Sequence, residues 1–189
     1  WVAASVGPTG QLMEPYGELS VTLAEEVYAE QVVALADAGA DLIFIETQHD
    51  IEEATCIIRM AKKHTSLPVF CTFAFDQRGR TMMGLRPADA AARVEAAGAD
   101  AVGANCGAGP DAVSVALQGM RTATILPLIA QANAGIPQVG EGARATWDVT
   151  PQQMAARVRE FLALGARVVG GCCGTGPEHI QAIVATLHA

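Results

Sequence analysis

Short apolar runs alternate along the chain with longer stretches whose apolar residues recur at helical spacing. The runs Val2–Val6, Asp41–Glu46, Pro68–Phe73, Asp100–Gly103, Thr124–Gln131 and Arg167–Gly171 are nearly all apolar. A strand covered on both faces reads this way. The stretches between them open with helix-start signals. Thr22 with Glu25, Asp50 with Glu53, Thr150 with Gln153 and Thr175 with Glu178 each pair a capping oxygen with an acid or amide three residues on. Pro87, Pro110, Pro151 and Pro177 fall where a first helical turn tolerates a missing N–H. The alternation predicts an α/β fold on a parallel sheet. No composition shift or polar linker divides residues 1–189, which read as one domain.

Three of the helical stretches end in glycine followed by alanine: Gly39-Ala40, Gly98-Ala99 and Gly165-Ala166. Glycine there is a left-handed helix stop. Seven and eight residues past each glycine stand Glu46 and Thr47, Asn105 and Cys106, and Cys172 and Cys173. One count therefore sets an acid and three cysteines at the C-terminal ends of parallel strands. In a (β/α) barrel that is the face where active sites form.

Composition narrows the classes. Twelve Lys and Arg stand against twenty Asp and Glu, a formal charge of -8, which argues against nucleic acid or an anionic membrane surface as partner. The longest uncharged stretch is broken by Pro127, Asn133, Gly135 and Pro137, so no transmembrane helix is expected. The chain opens on an apolar run, Trp1–Val6, with neither Met nor a signal pattern, and reads as a strand met mid-protein. Five cysteines, two of them adjacent, do not make a spaced disulfide framework, which points to a reducing, cytoplasmic setting.

Cys106, Cys172 and Cys173 lie in glycine-rich turns, Gly103-Ala-Asn-Cys106-Gly and Gly170-Gly-Cys-Cys173-Gly. Small neighbours let the backbone bend so that thiolates converge. Three thiolates with a fourth position open is the pattern of a catalytic zinc, and soft sulfur suits zinc over magnesium or calcium. Cys56 and Cys71, inside a helix and a strand, read instead as small hydrophobes. His64, His179 and His188 read as solvated or capping, and His49 has no assigned role. The loop Asp76–Arg86 carries three arginines and reads as solvated, with an acidic partner or a corrinoid tail as the alternative.

The strings SVGPTG (Ser5–Gly10), DLIFIET (Asp41–Thr47), GANCGAGP (Gly103–Pro110), ANAG (Ala132–Gly135) and GGCCGTGPEHI (Gly170–Ile180) resemble the homocysteine S-methyltransferase family. The nearest likeness is to the homocysteine-binding domain of its cobalamin-dependent branch. The resemblance implies a TIM (β/α)8-type barrel, of which this chain holds the part corresponding to strands 3–8, the first two βα units being absent. Such a remainder exposes two strand edges, inviting self-association. The resemblance implies zinc held by Cys106, Cys172 and Cys173, Glu46 binding the substrate amine, and Asn133 beside the metal. It implies methyl transfer to the thiolate of homocysteine, giving methionine. Three thiolates outweigh the charge of zinc, so a fourth sulfur stays electron-rich and suited to attack a methyl group. A methylcorrinoid such as methylcobalamin, carried on another domain or protein, is the expected donor, ahead of S-methylmethionine and betaine. A non-catalytic zinc-binding fragment is the competing reading.

Overall fold

The computed structural model describes residues 1–139 and 145–188. In chain order the elements are β1 (Ala3–Val6), α1 (Val21–Asp37), β2 (Leu42–Gln48), α2 (Ile51–His64), β3 (Val69–Phe73), α3 (Pro87–Ala96) and β4 (Ala101–Cys106). They continue with α4 (Pro110–Arg121), β5 (Leu128–Ala132), the short β6 (Gln138–Val139) and β7 (Ala145–Thr146), α5 (Pro151–Ala163), β8 (Ala166–Gly171) and α6 (Pro177–Leu187).

Each run of apolar residues became a strand of one parallel sheet, ordered β1-β2-β3-β4-β5-β8. The order never reverses, so right-handed crossovers bring every helix to the same face, as in a barrel and unlike a doubly wound sheet. The other face curls inward. Leu42, Phe44, Ala101 and Ile129, from β2, β4 and β5, form a buried cluster of their own there, with Phe70 and Val168 against it. Phe44 and Phe70 meet edge to face, centroids 6.2 Å apart. Toward the helices, Ile43, Ile45, Leu128 and their neighbours pack on Ile57, Leu117 and Phe161, all fully buried. Each such side chain contributes about 1.5–3 kcal/mol by leaving water. Among the described residues β1 and β8 are the two edges, giving an arc of six strands with helices outside.

Several boundaries differ from the expected ones, for identifiable reasons. The expected strand Thr124–Gln131 starts only at Leu128. The residues before Pro127 are a loop whose Thr124 and Leu126 carbonyls take hydrogen bonds from Arg121. β2 and β4 run past their apolar stretches to Gln48 and Cys106, so their polar ends belong to the sheet. The β6–β7 hairpin was not foreseen, two residues being too few for a pattern. Ser20, not Thr22, caps α1, accepting from the Leu23 N–H at 3.2 Å. Thr150 and Gln153 form the expected reciprocal cap of α5. Thr175 does not cap α6. Gly176 holds that position, its N–H donating to His179 Nδ1 at 3.1 Å, so the imidazole caps its own helix. The three predicted helix stops, Gly39, Gly98 and Gly165, all have left-handed φ, from 89° to 100°. No helix among the described residues is long and apolar enough to cross a membrane.

Candidate metal centre

Two strand ends and one turn bring the cysteines together. Cys106 is the last residue of β4, pairing with Ala132, which pairs in turn with Gly171 at the end of β8. The Cys172 N–H then donates to the Ala132 carbonyl at 2.9 Å, folding the next turn across β5 toward Cys106. The Cys106 sulfur lies 3.0 Å from that of Cys172 and 3.5 Å from that of Cys173. All three sulfurs fall within 4.8 Å of one another.

The turns are held open by contacts that exclude larger residues. Gly107 (φ 64°) faces the Phe75 carbonyl, which an added Cβ would approach to 2.3 Å. Gly174 (φ 79°) lies under the indole of Trp147, where a Cβ would come to 2.3 Å of the ring. Cys106 itself has φ 56° and Thr47 φ 59°. For a β-branched residue such as Thr47 this is strain of about 1–3 kcal/mol, the kind that tertiary contacts sustain at functional sites.

Asn105 supplies that contact. Its Oδ1 accepts from the Thr47 N–H at 2.9 Å, and its Nδ2 donates to the Thr47 hydroxyl at 2.7 Å and toward the Cys172 sulfur at 3.8 Å. Asn133 is buried and bridges the two cysteine turns. Its Oδ1 accepts from the Cys173 N–H, its Nδ2 donates to the Gly107 carbonyl, each at 3.0 Å. Both ends of this amide are engaged with backbone.

Sharing protons separates the thiols. The Cys172 thiol is drawn down to about 6, chiefly by the hydrogen bond from Cys106 and against the opposing effect of burial, with the Cys173 N–H and Asn105 assisting. Cys106, as the donor in that contact and partly buried, is pushed up. Cys56 and Cys71 are also raised, by burial in the apolar core, and take no part in the cluster.

The set fits zinc. Sulfurs at about 2.3 Å from a tetrahedral ion sit about 3.8 Å apart, which the Cys106 sulfur reaches from its two neighbours by spreading less than about 1 Å. No His, Asp or Glu joins the group among the described residues, so a tetrahedral ion held by these sulfurs would have one position open.

Glu46, in step with Leu42 and Phe44 of the concave face, stands near the end of β2 and accepts from the Ser5 hydroxyl of β1. Glu53, the apparent capping partner of Asp50, does something the sequence did not reveal. It is buried, and one of its oxygens accepts from the Thr9 N–H and hydroxyl at 2.8 Å and from Tyr28 OH at 2.7 Å. Burial and this carboxylate push the Tyr28 phenol well up. Glu53 thereby anchors the Gly7–Gly10 loop at the mouth of the site. Trp147 was likewise missed, since an isolated aromatic carries no signal of what it covers. His179 is no ligand: with Nδ1 accepting, its Nε2 donates to the Val149 carbonyl at 3.0 Å. His49 lines a cleft of about 380 Å³ beside Gly107, together with Phe75, Asp76 and Met82. Two arginines of the neighbouring loop are satisfied locally, Arg80 on the Gly84 carbonyl and Arg86 on Asp89.

Comparison with known proteins finds relatives of this chain. The family model described as homocysteine S-methyltransferase matches residues 1–187. Methionine synthase of Mycobacterium leprae is 30% identical over 193 residues, covering 99% of the chain and 16% of that protein. The apo form of the homocysteine methyltransferase MmuM from Escherichia coli superposes with a TM-score of 0.78 at 29% identity, over 98% of this chain and 62% of that one. Its metallated form gives 0.78 at 28%, over 97% and 60%. The chain thus spans about one sixth of the curated relative and under two thirds of the solved one.

Proposed function

The chain belongs to the homocysteine S-methyltransferase family, and on that footing we propose that it carries zinc-dependent methyl transfer to the thiolate of homocysteine, giving methionine. The observation behind this reading is the convergence of three thiols at the C-terminal ends of β4 and β8, with no fourth protein ligand among the described residues. Cys106, Cys172 and Cys173 would hold the ion. When bound, zinc supplies the positive charge that keeps a fourth, incoming thiol deprotonated at neutral pH.

The remaining roles belong to the chain itself. The three sulfurs orient the incoming thiol by fixing where the open position points. Asn105 and Asn133 hold the two turns in register by their hydrogen bonds. Glu46 is the acceptor for the substrate's ammonium, already oriented by Ser5. Residues 1–189 act as one homocysteine-binding domain of the barrel type. The methyl donor is a methylcorrinoid on another domain or protein, approaching over the cleft of His49, Phe75 and Met82. Support for this donor is the likeness to methionine synthase; S-methylmethionine is the second reading.

Zinc per chain, measured by elemental analysis with and without homocysteine, tests the proposal. About one zinc retained on desalting, with methionine formed from homocysteine and methylcobalamin, is the expected result. Zinc retention with transfer from S-methylmethionine alone would favour the second reading. A well-folded chain that retains none would refute both.

A further inference from the structure

The concave face below the thiols is apolar except at a few positions, and two of those hold oxygens without a hydrogen-bond partner. Thr72 is fully buried and its Oγ1 is unpartnered. The Oε1 of Gln131 is shielded from solvent and likewise unpartnered among the described residues. A buried oxygen left unpaired carries a desolvation penalty, so a site that holds two of them on one face calls for a ligand.

Register shows that the two belong together. Thr72 pairs with Gly103, and Gly103 with Ile129. A barrel of this type staggers by about one residue per strand, and alternate strands supply each inward layer. Two strands on from Thr72, that stagger leads from Ile129 to Gln131, so Thr72 of β3 and Gln131 of β5 share a layer. The same arithmetic sets Glu46 of β2, Asn105 of β4 and Cys172 after β8 in the layer directly above. The contact from Asn105 to the Cys172 sulfur agrees with that stacking. Gln131 extends across Gly170, where an added Cβ would lie 3.5 Å from its Nε2, so the missing side chain at Gly170 leaves the amide its place. Phe44, Phe70, Ile129 and Val168 surround this layer, and any of them shows that apolar residues fit here.

Resting on the proposed function, we infer that Thr72 and Gln131 form the floor of the substrate cleft. With Glu46 they accept the N–H groups of the substrate's α-ammonium. Two neutral oxygens and one carboxylate, with no cationic side chain in either layer, match a primary ammonium, which has three donors and no acceptor. Glu46 would repel a carboxylate at the same place. The pair therefore selects an amino-acid thiol over a thiol of the same length lacking the amine.

The test is calorimetric titration of the zinc-loaded chain with L-homocysteine and with 4-mercaptobutanoate, which differs only in lacking the amine. Gln131→Leu and the isosteric Thr72→Val are compared with the unaltered chain. Each is expected to bind homocysteine about tenfold more weakly, the loss of one hydrogen bond to a charged group. Binding of 4-mercaptobutanoate and the zinc content stay unchanged. Thr72→Val keeps the shape of the core and serves if Gln131→Leu does not fold. Equal weakening of both thiols, or of neither, overturns the inference and leaves the methyl-acceptor reading intact. An unaltered chain that holds zinc yet binds neither thiol overturns that reading itself.

Discussion

The five cysteines occupy two regions of opposite character. Cys56 and Cys71 lie in the layer between sheet and helices, fully buried, with thiols pushed up by the absence of water. Cys106, Cys172 and Cys173 lie at the strand ends, partly exposed, where one thiol takes the proton another gives up. The residue type is the same. What differs is backbone: regular strand and helix in the first region, glycine-flanked turns in the second. Side chains in regular elements are separated by the element's own geometry, whereas a left-handed residue such as Cys106 redirects its thiol toward a neighbouring strand's turn.

The sharpest way to break this comparison is to exchange the two regions' losses. Cys106→Ala is expected to abolish tight zinc binding, and Cys71→Ala to leave zinc stoichiometry untouched. Elemental analysis of both variants checks this, and equal zinc content in the two would erase the distinction. A smaller effect comes from the support of the turns. Asn133→Ala strips the Cys173 N–H and Gly107 carbonyl of their buried partner. Zinc affinity should fall about 10- to 100-fold, as for lost outer-shell contacts, in competition with a chromophoric chelator.

Protonation sharpens the contrast without a mutation. In the metal-free chain, alkylation of Cys172 should rise with a midpoint near pH 6, while Cys71 stays unreactive through pH 9. Peptide mapping after a pH series reads both sites. The sign for stability follows. A folded thiol that ionises near 6 binds fewer protons than its unfolded counterpart between there and the ordinary value of 9. Its contribution is full above 9 and is lost as pH falls through 6. Cys106, raised, works the opposite way above 9. The metal-free chain should therefore gain stability from pH 6 to 9, measured as urea midpoints. The smallest effect is in the core, where Cys71→Ala should cost about 1 kcal/mol by leaving a small cavity.

Much of the architecture was legible because it is local. Apolar run length marked all six strands of the sheet, and Gly39, Gly98 and Gly165 marked helix ends from which one count reached every sulfur of the cluster. The count worked because strands of a parallel barrel start at helix stops and have similar lengths. Where it erred, chemistry was shared with distant residues. Glu53 looked like half of a capping pair beside Asp50, yet its partners are Thr9 and Tyr28, more than twenty positions away. Asp50 still caps α2 alone, accepting from the Glu52 N–H at 2.8 Å. Thr175 looked like a cap and instead donates to the Cys172 carbonyl at 2.7 Å, tying the turn that carries two of the thiols.

The sequence by itself determined the alternation of strand and helix, the helix stops, the three glycine-bounded cysteines and the acid in their register. All of these follow from preferences within a few residues: periodicity, capping and the freedom of glycine. Tertiary structure alone decided which oxygens are satisfied and which are not. The engagement of Asn133 with both turns, the burial of Glu53 under the Gly7–Gly10 loop, and the shared layer of Thr72 and Gln131 depend on how strands are staggered around the arc. That stagger is set by the twist and pairing of the whole sheet, and no stretch of sequence records it.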